Sequence, residues 1–237
     1  MNIKNIQIFI IYSILVILLV IPSAGSFAGM IKYKEYIWDS SVNYVTNGSL
    51  DWLRWDQSLN LSIHQIETDP NFSSWRVASN DDIATLLNDF FNFFEWYSNE
   101  SISQEYKGKF SEDDTPFVNF LDLFGHSWDS FDGCYLCVQL DHWRSTSIFF
   151  GNDLNNDQYY NFLTIRDKSA IYNYVTGQRY FNGSFISVSA DDYYFTRTHP
   201  NAAIALVRNT QTVPEPNSLL LFILTVFFGV YYSRSLN

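Results

Sequence analysis

The chain predicts an α+β fold on two observations: a strong amphipathic helix signal in its first half, and a series of short β-favouring runs in its second half. The helix opens at Ser79-Asn80-Asp81-Asp82. Ser79 is a good N-cap, Asp82 lies three residues on, and Asp81 and Asp82 meet the positive end of the helix dipole. Ile83, Leu86, Leu87, Phe90, Phe91 and Phe94 then recur with a helical period, which predicts a helix running to about Tyr97 with much of its surface buried. The polar stretch Glu100 to Thr115 reads as a mobile loop. Strands are predicted at Cys134 to Leu140, Ser147 to Phe150, Tyr160 to Ile165, Ala170 to Val175, Ser184 to Ser189 and Ile204 to Arg208, separated by Gly, Asn and Asp clusters. The expected body is one domain, 29–212, with one main helix and an antiparallel, strand-rich second half.

Composition sets limits on partners. The net charge of −11 argues against nucleic acid or anionic lipid, which an acidic surface repels. Aromatic residues make up 19% of the chain, which supplies either a dense core or a stacking surface for sugar rings. For the second use, Trp52, Trp55, Trp75 and Trp143 are the candidates.

The chemistry-bearing motifs are weak. Gly125-His126-Ser127-Trp128-Asp129 has the outline of a nucleophile elbow, but Asp129 stands where the second glycine is needed and no helix signal follows. A surface turn is the expectation, and an exported hydrolase built on Ser127 the least supported alternative. Asp153-Leu154-Asn155-Asn156-Asp157 places oxygen ligands at alternate positions. Gln158 and Thr164 occupy the places where a calcium loop wants Gly and Glu, so an Asn/Asp turn is expected. Cys134 and Cys137 are the two cysteines of the chain; a local disulfide and a pair of free thiols both fit, ahead of redox catalysis. His64, His126, His142 and His199 are scattered. No catalytic residue, metal site or cofactor is indicated.

The two ends carry clearer signals. Lys4, the apolar block Ile6 to Ile21 and the small-residue site at Ser26-Phe27-Ala28 describe a signal peptide, 1–28, with an uncleaved N-terminal anchor as the alternative because the apolar block is slightly long. At the other end stand Val213-Pro214-Glu215-Pro216, an apolar run from Leu219 to Tyr232, and Arg234. Fourteen residues of helix reach about 21 Å, short of the ~30 Å hydrocarbon core.

That C-terminal arrangement resembles the sorting signal of PEP-CTERM proteins of Gram-negative bacteria, with one terminal basic residue where the family often has several. The resemblance implies processing by exosortase, a membrane cysteine protease, at 213–237, after a transient inner-membrane tether through 219–232. It also implies a final place at the cell surface or outside the cell, in association with exopolysaccharide or biofilm matrix. Two prolines keep the motif extended and accessible.

The body carries a second likeness. Leu50-Asp51-Trp52-Leu53-Arg54-Trp55-Asp56, then Ser74-Trp75-Arg76-Val77-Ala78-Ser79, then Ala205-Leu206-Val207-Arg208, resemble a recurrent PEP-CTERM ectodomain. Ser74 and Ser79 stand where that pattern has glycine and threonine. The Trp-Arg element leading into a capped helix is also similar to C-type-lectin-like domains, which implies a helix packed on a curved antiparallel sheet. The expected role is a structural or interaction component of the surface, with a glycan-binding lectin-like module as the alternative. Neither role is an enzyme.

Overall fold

Strands precede the helices among the described residues. The computed structural model describes residues 29–129, 137–139, 144–153, 157–173, 176 and 178–210; the expected signal peptide and sorting tail lie outside them. β1 (Met30–Tyr33), β2 (Tyr36–Asp39), β3 (Tyr44–Thr46) and β4 (Leu50–Leu53) form an antiparallel meander. Asn47-Gly48-Ser49 makes the last of its turns: the Asn47 Oδ1 accepts the backbone N–H groups of Ser49 and Leu50, and Gly48 takes a positive φ of 85°. These strands are too short to show alternation in sequence, and only their pairing identifies them.

A 3-10 turn at Trp55–Ser58 and helix α1 (Ile63–Thr68), with a Ser62/Gln65 capping box, lead through a second 3-10 turn to β5 (Arg76–Val77). Helix α2 (Asn80–Phe90) begins as expected, with Ser79 and Asp82 in a reciprocal capping box. It ends seven residues before the expected Tyr97. Lys34 donates to the carbonyls of Asp89 and Phe90, and the Asn88 side chain bonds both the N–H and the C=O of Trp96, at 2.8 and 2.9 Å. The chain therefore turns back there. The continuing apolar run serves another purpose: Phe93 and Phe94 pack on Tyr106.

The expected loop Glu100 to Thr115 contains β6 (Gln104–Lys107), and at its end begins an unanticipated helix, α3 (Thr115–Phe124). Pro116 in its first turn and the buried Phe117, Phe120, Leu121, Leu123 and Phe124 account for it. After β7 (Trp128–Asp129) and β8 (Cys137–Gln139) come β9 (Arg144–Phe150), β10 (Tyr159–Arg166), β11 (Ser169–Asn173), β12 (Gln178–Asn182) and β13 (Phe185–Tyr194), then β14 (Ala203–Ile204) and β15 (Leu206–Asn209). The fold is α+β, with strands in both halves.

Three sheets result. The first runs β1-β2-β3-β4-β15-β5, the second β14-β9-β10-β13-β6 with β7 beside β9, and the third β12-β11-β8. Among the described residues all pairings are antiparallel except that of β14 with β9. The expected strand Ile204 to Arg208 is in fact a staple between sheets. Ile204 pairs with Phe149 in the second sheet, the Ala205 N–H reaches the Phe149 carbonyl, and Val207 lies opposite Trp52 and Arg76 in the first. Ala202 to Val207 are wholly buried.

Helices α2 and α3 and both larger sheets share one core. Tyr36, Val45, Trp52 and Val207 from the first sheet meet Phe90, Phe120 and Phe124 from the helices and Ile148, Phe150, Leu163 and Ile186 from the second. A smaller cluster takes the alternate residues Phe149 and Leu206 with Ile63 and Ile66 of α1, as the two-residue period of a strand requires. Phe90, Phe120 and Phe124 sit in edge-on and stacked ring contacts 4.5 to 5.8 Å apart. Much of this core is aromatic.

Candidate functional site

The three body motifs, far apart in sequence, become adjacent strands. β15 lies between β4 and β5, so Arg208 faces Asp51. The Arg208 Nε donates to the Asp51 Oδ2 at 3.1 Å, and the Thr210 hydroxyl to the Asp51 Oδ1 at 3.1 Å. The guanidinium stacks on Trp75 at 4.4 Å and on Tyr44 at 4.9 Å. Asp51 is 3% exposed, and its two oxygens are taken by the last strand. Arg76 turns instead to Asp82, 2.5 Å from its Oδ2. Burial pushes the Asp82 carboxyl up, but the bonds from Arg76 and Ser79 outweigh this and hold it below the usual carboxylate range.

These contacts change the glycan candidates. Trp52 and Trp55 are 1% and 0% exposed. Trp55 is packed between Phe120 and Phe124, with centroids 5.1 and 5.3 Å away, and Trp52 meets Phe124 edge-on. No sugar ring reaches either, so both leave the list as core residues. Trp75 is half-buried beneath Arg208. Trp143 lies outside the described residues.

The surface feature that sequence reading missed is an open depression of about 650 Å³ at the β2–β3 turn. It is lined by Trp38, the turn Ser40 to Asn43, Tyr44, Arg54, Asp56 and Gln57. Arg54 is its hub. One Nη1 donates to the carbonyls of Asp122 and Leu123 at 3.1 Å each, completing the C-terminus of α3 and meeting the negative end of its dipole. The other, Nη2, is 3.0 Å from the Asp56 Oδ2, and the guanidinium covers one face of Trp38 at 3.9 Å. Gln57 donates to the Asp56 Oδ1 at 2.9 Å. Gly125, at φ 87° beneath this pair, has no room for a side chain: a Cβ there would lie 3.0 Å from the Asp56 carboxyl. A hint of the site existed in sequence, since Trp38-Asp39-Ser40-Ser41 joins an aromatic residue to turn chemistry. What placed it opposite Arg54 was pairing.

The turn itself is stiff. The Trp38 Nε1 donates to the Val42 carbonyl at 2.9 Å, the Ser41 N–H to the Asp39 Oδ1 at 2.8 Å, and the Arg54 N–H to the Asn43 carbonyl at 2.9 Å. The backbone and side-chain bonds from Ser41 hold the exposed Asp39 carboxyl low.

The remaining motifs fall into place as turns and pairs. At Ser127 a helix precedes and a strand follows, the reverse of an elbow, and the Ser127 Oγ accepts the Ser147 N–H. The Asp153 carboxylate accepts the N–H groups of Asp157 and Gln158 at 2.8 and 3.0 Å, four and five residues on; 154–156 lie outside the described residues. His64 packs on Phe195, His126 is exposed, and the His199 Nδ1 accepts the Asn201 N–H. His142 and Cys134 are outside the described residues, so the cysteine pairing is too. Among the described residues no group of His, Cys, Asp or Glu could hold a metal ion.

A partly buried ionic cluster adjoins the depression through Asp122, whose carbonyl Arg54 bonds. Arg144 bridges the Asp122 Oδ1, 2.5 Å from its Nη1, and Asp167, whose Oδ1 takes the Arg144 N–H at 2.7 Å. Burial pushes the Asp167 carboxyl up to about 6 against the pull of Arg144. This cluster ties β9 to α3 and to the end of β10.

No family model, curated protein or solved structure matches the chain. The fold and site by themselves define an α+β domain whose landmark Trp and Arg residues are used in packing. Its open face is a polar, aromatic-lipped depression.

Proposed function

We propose that this is an exported protein, delivered to the cell surface or beyond by exosortase acting on its C-terminal signal, and serving there as a structural or interaction component of an exopolysaccharide matrix. The observation that carries the reading is the ordered tail: Val213-Pro214-Glu215-Pro216, the short apolar run 219–232 and Arg234, with an export signal at the opposite end. The geometry of the body is compatible with it. Thr210 closes the fold by bonding Asp51 and, through its N–H, the Ser49 carbonyl at 3.0 Å. The proposed processing motif begins at Val213, three residues after this contact in sequence.

The test is Pro214→Ala/Glu215→Ala/Pro216→Ala beside the parent, in cells with and without exosortase, read by intact mass and fractionation. The parent is expected to lose residues 219–232 and leave the inner membrane only where exosortase is present, while the variant keeps them. Equal processing of both, or a mature parent that retains 219–232 in cells with the enzyme, counts decisively against this reading.

A glycan-binding module is the second reading. It is favoured by the open depression with Trp38 and Tyr44 at its edge. The capped helix that follows Trp75-Arg76, as in lectin-like domains, also favours it.

A further inference from the structure

We infer that the depression at the β2–β3 turn is a binding site for a neutral polysaccharide, gripped at internal sugar residues of the chain. This rests on the glycan-binding reading and specifies it.

Sugar recognition asks for two things: a fixed aromatic face for the C–H side of a pyranose ring, and planar or hydroxyl polar groups beside it for the ring hydroxyls. Trp38 meets the first. Its indole is half-buried, fixed by its bond to the Val42 carbonyl and by Arg54 on one face, so little side-chain entropy remains to be lost on binding. The second requirement is met by the Asp56 carboxylate, already oriented by Arg54 and Gln57, and by the exposed Gln57, Asn43 and Ser41.

Charge selects the class of sugar. The cation lining the depression, Arg54, has its charge met by Asp56 and its other donors spent on α3 carbonyls. The nearby Arg208 is held by Asp51. With a net charge of −11 on the chain, an acidic sugar would meet repulsion and no free cation, so the site disfavours uronates and phosphorylated glycans. Shape selects the polymer. The volume falls within the ~300–1,000 Å³ of small-ligand sites, but the depression is open, so a chain can lie across it without a free end.

The experiment is affinity electrophoresis of the purified full chain in gels containing a neutral glucan, a galactomannan or polygalacturonate, with tryptophan emission as a second readout. Trp38→Ala, Gln57→Ala and Asn43→Ala are compared with the parent, each checked for folding by thermal melting. The parent should be retarded by at least one neutral polymer. Trp38→Ala should weaken that retardation tenfold or more, and Gln57→Ala and Asn43→Ala several-fold, with unchanged melting in the last two. Retardation unaltered in all three variants overturns the site while leaving glycan binding in place. Stronger retardation by polygalacturonate overturns the neutral assignment. No retardation by any polymer removes the site and the glycan-binding reading together.

Discussion

Asp167 and Asp51 show how much a single carboxylate decides here. Asp51 holds the last strand through Arg208 and Thr210. Asp167 is held against Arg144 at a cost in solvation, and this makes it titrate late. An unfolded aspartate ionises near about 3.9, whereas the folded carboxyl does so at about 6. Between these values the folded state keeps a proton that the unfolded state has lost. Stability from this group is therefore full below pH ~4 and is lost as pH rises through about 6, by roughly 2–3 kcal/mol. Asp167→Asn keeps an acceptor for the Arg144 N–H but does not titrate. Urea unfolding at pH 4 to 7 is expected to show the variant gaining on the parent by that amount as pH rises. Parallel curves for the two proteins would mean that Asp167 ionises normally.

At the scale of elements, both main helices begin with their own local chemistry and end on charges supplied by the first sheet. Lys34 in the β1–β2 turn caps α2, and Arg54 beyond β4 caps α3. Ser79→Ala removes the hydroxyl that accepts the Asp82 N–H and should cost about 1 kcal/mol, measured by urea unfolding. A loss below a few tenths of a kcal/mol would show that the Arg76–Asp82 pair alone holds the start of α2. The early end of α2 was not legible because Phe91 and Phe94 continue its period. Their apolar character serves contacts with Phe117, Phe120 and Tyr106 instead. The start of α3 went unread because the acidic run before Thr115 reads as loop and Asp114 makes no side-chain cap there.

For the molecule as a whole, the last strand is a central one. β15 fills the gap between β4 and β5, and the preceding residues join the second sheet, so closing the fold waits on the C-terminal end of the domain. A chain stopped after Ala205 leaves Trp52, Asp51 and Arg76 without their partner strand and is expected not to fold. One stopped after Thr210 should show a cooperative thermal transition close to that of the full chain. Near-UV circular dichroism, which reports the packed Trp52 and Trp55, distinguishes them. A native spectrum from the shorter chain would place the fold's stability elsewhere.

What the sequence determined alone is local: the Ser79 capping box and strands such as β9, β10 and β13. These depend on hydrogen bonds and periodicities spanning a few residues. Tertiary structure alone decided that Trp52 and Trp55 are core, that α2 stops at Phe90, and that Trp38 stands over Arg54 beside an open depression. The reason is range. Arg208 lies 157 residues from Asp51, and Arg54 lies 68 and 69 from the carbonyls it caps. No spacing rule within one segment records a partner that far away.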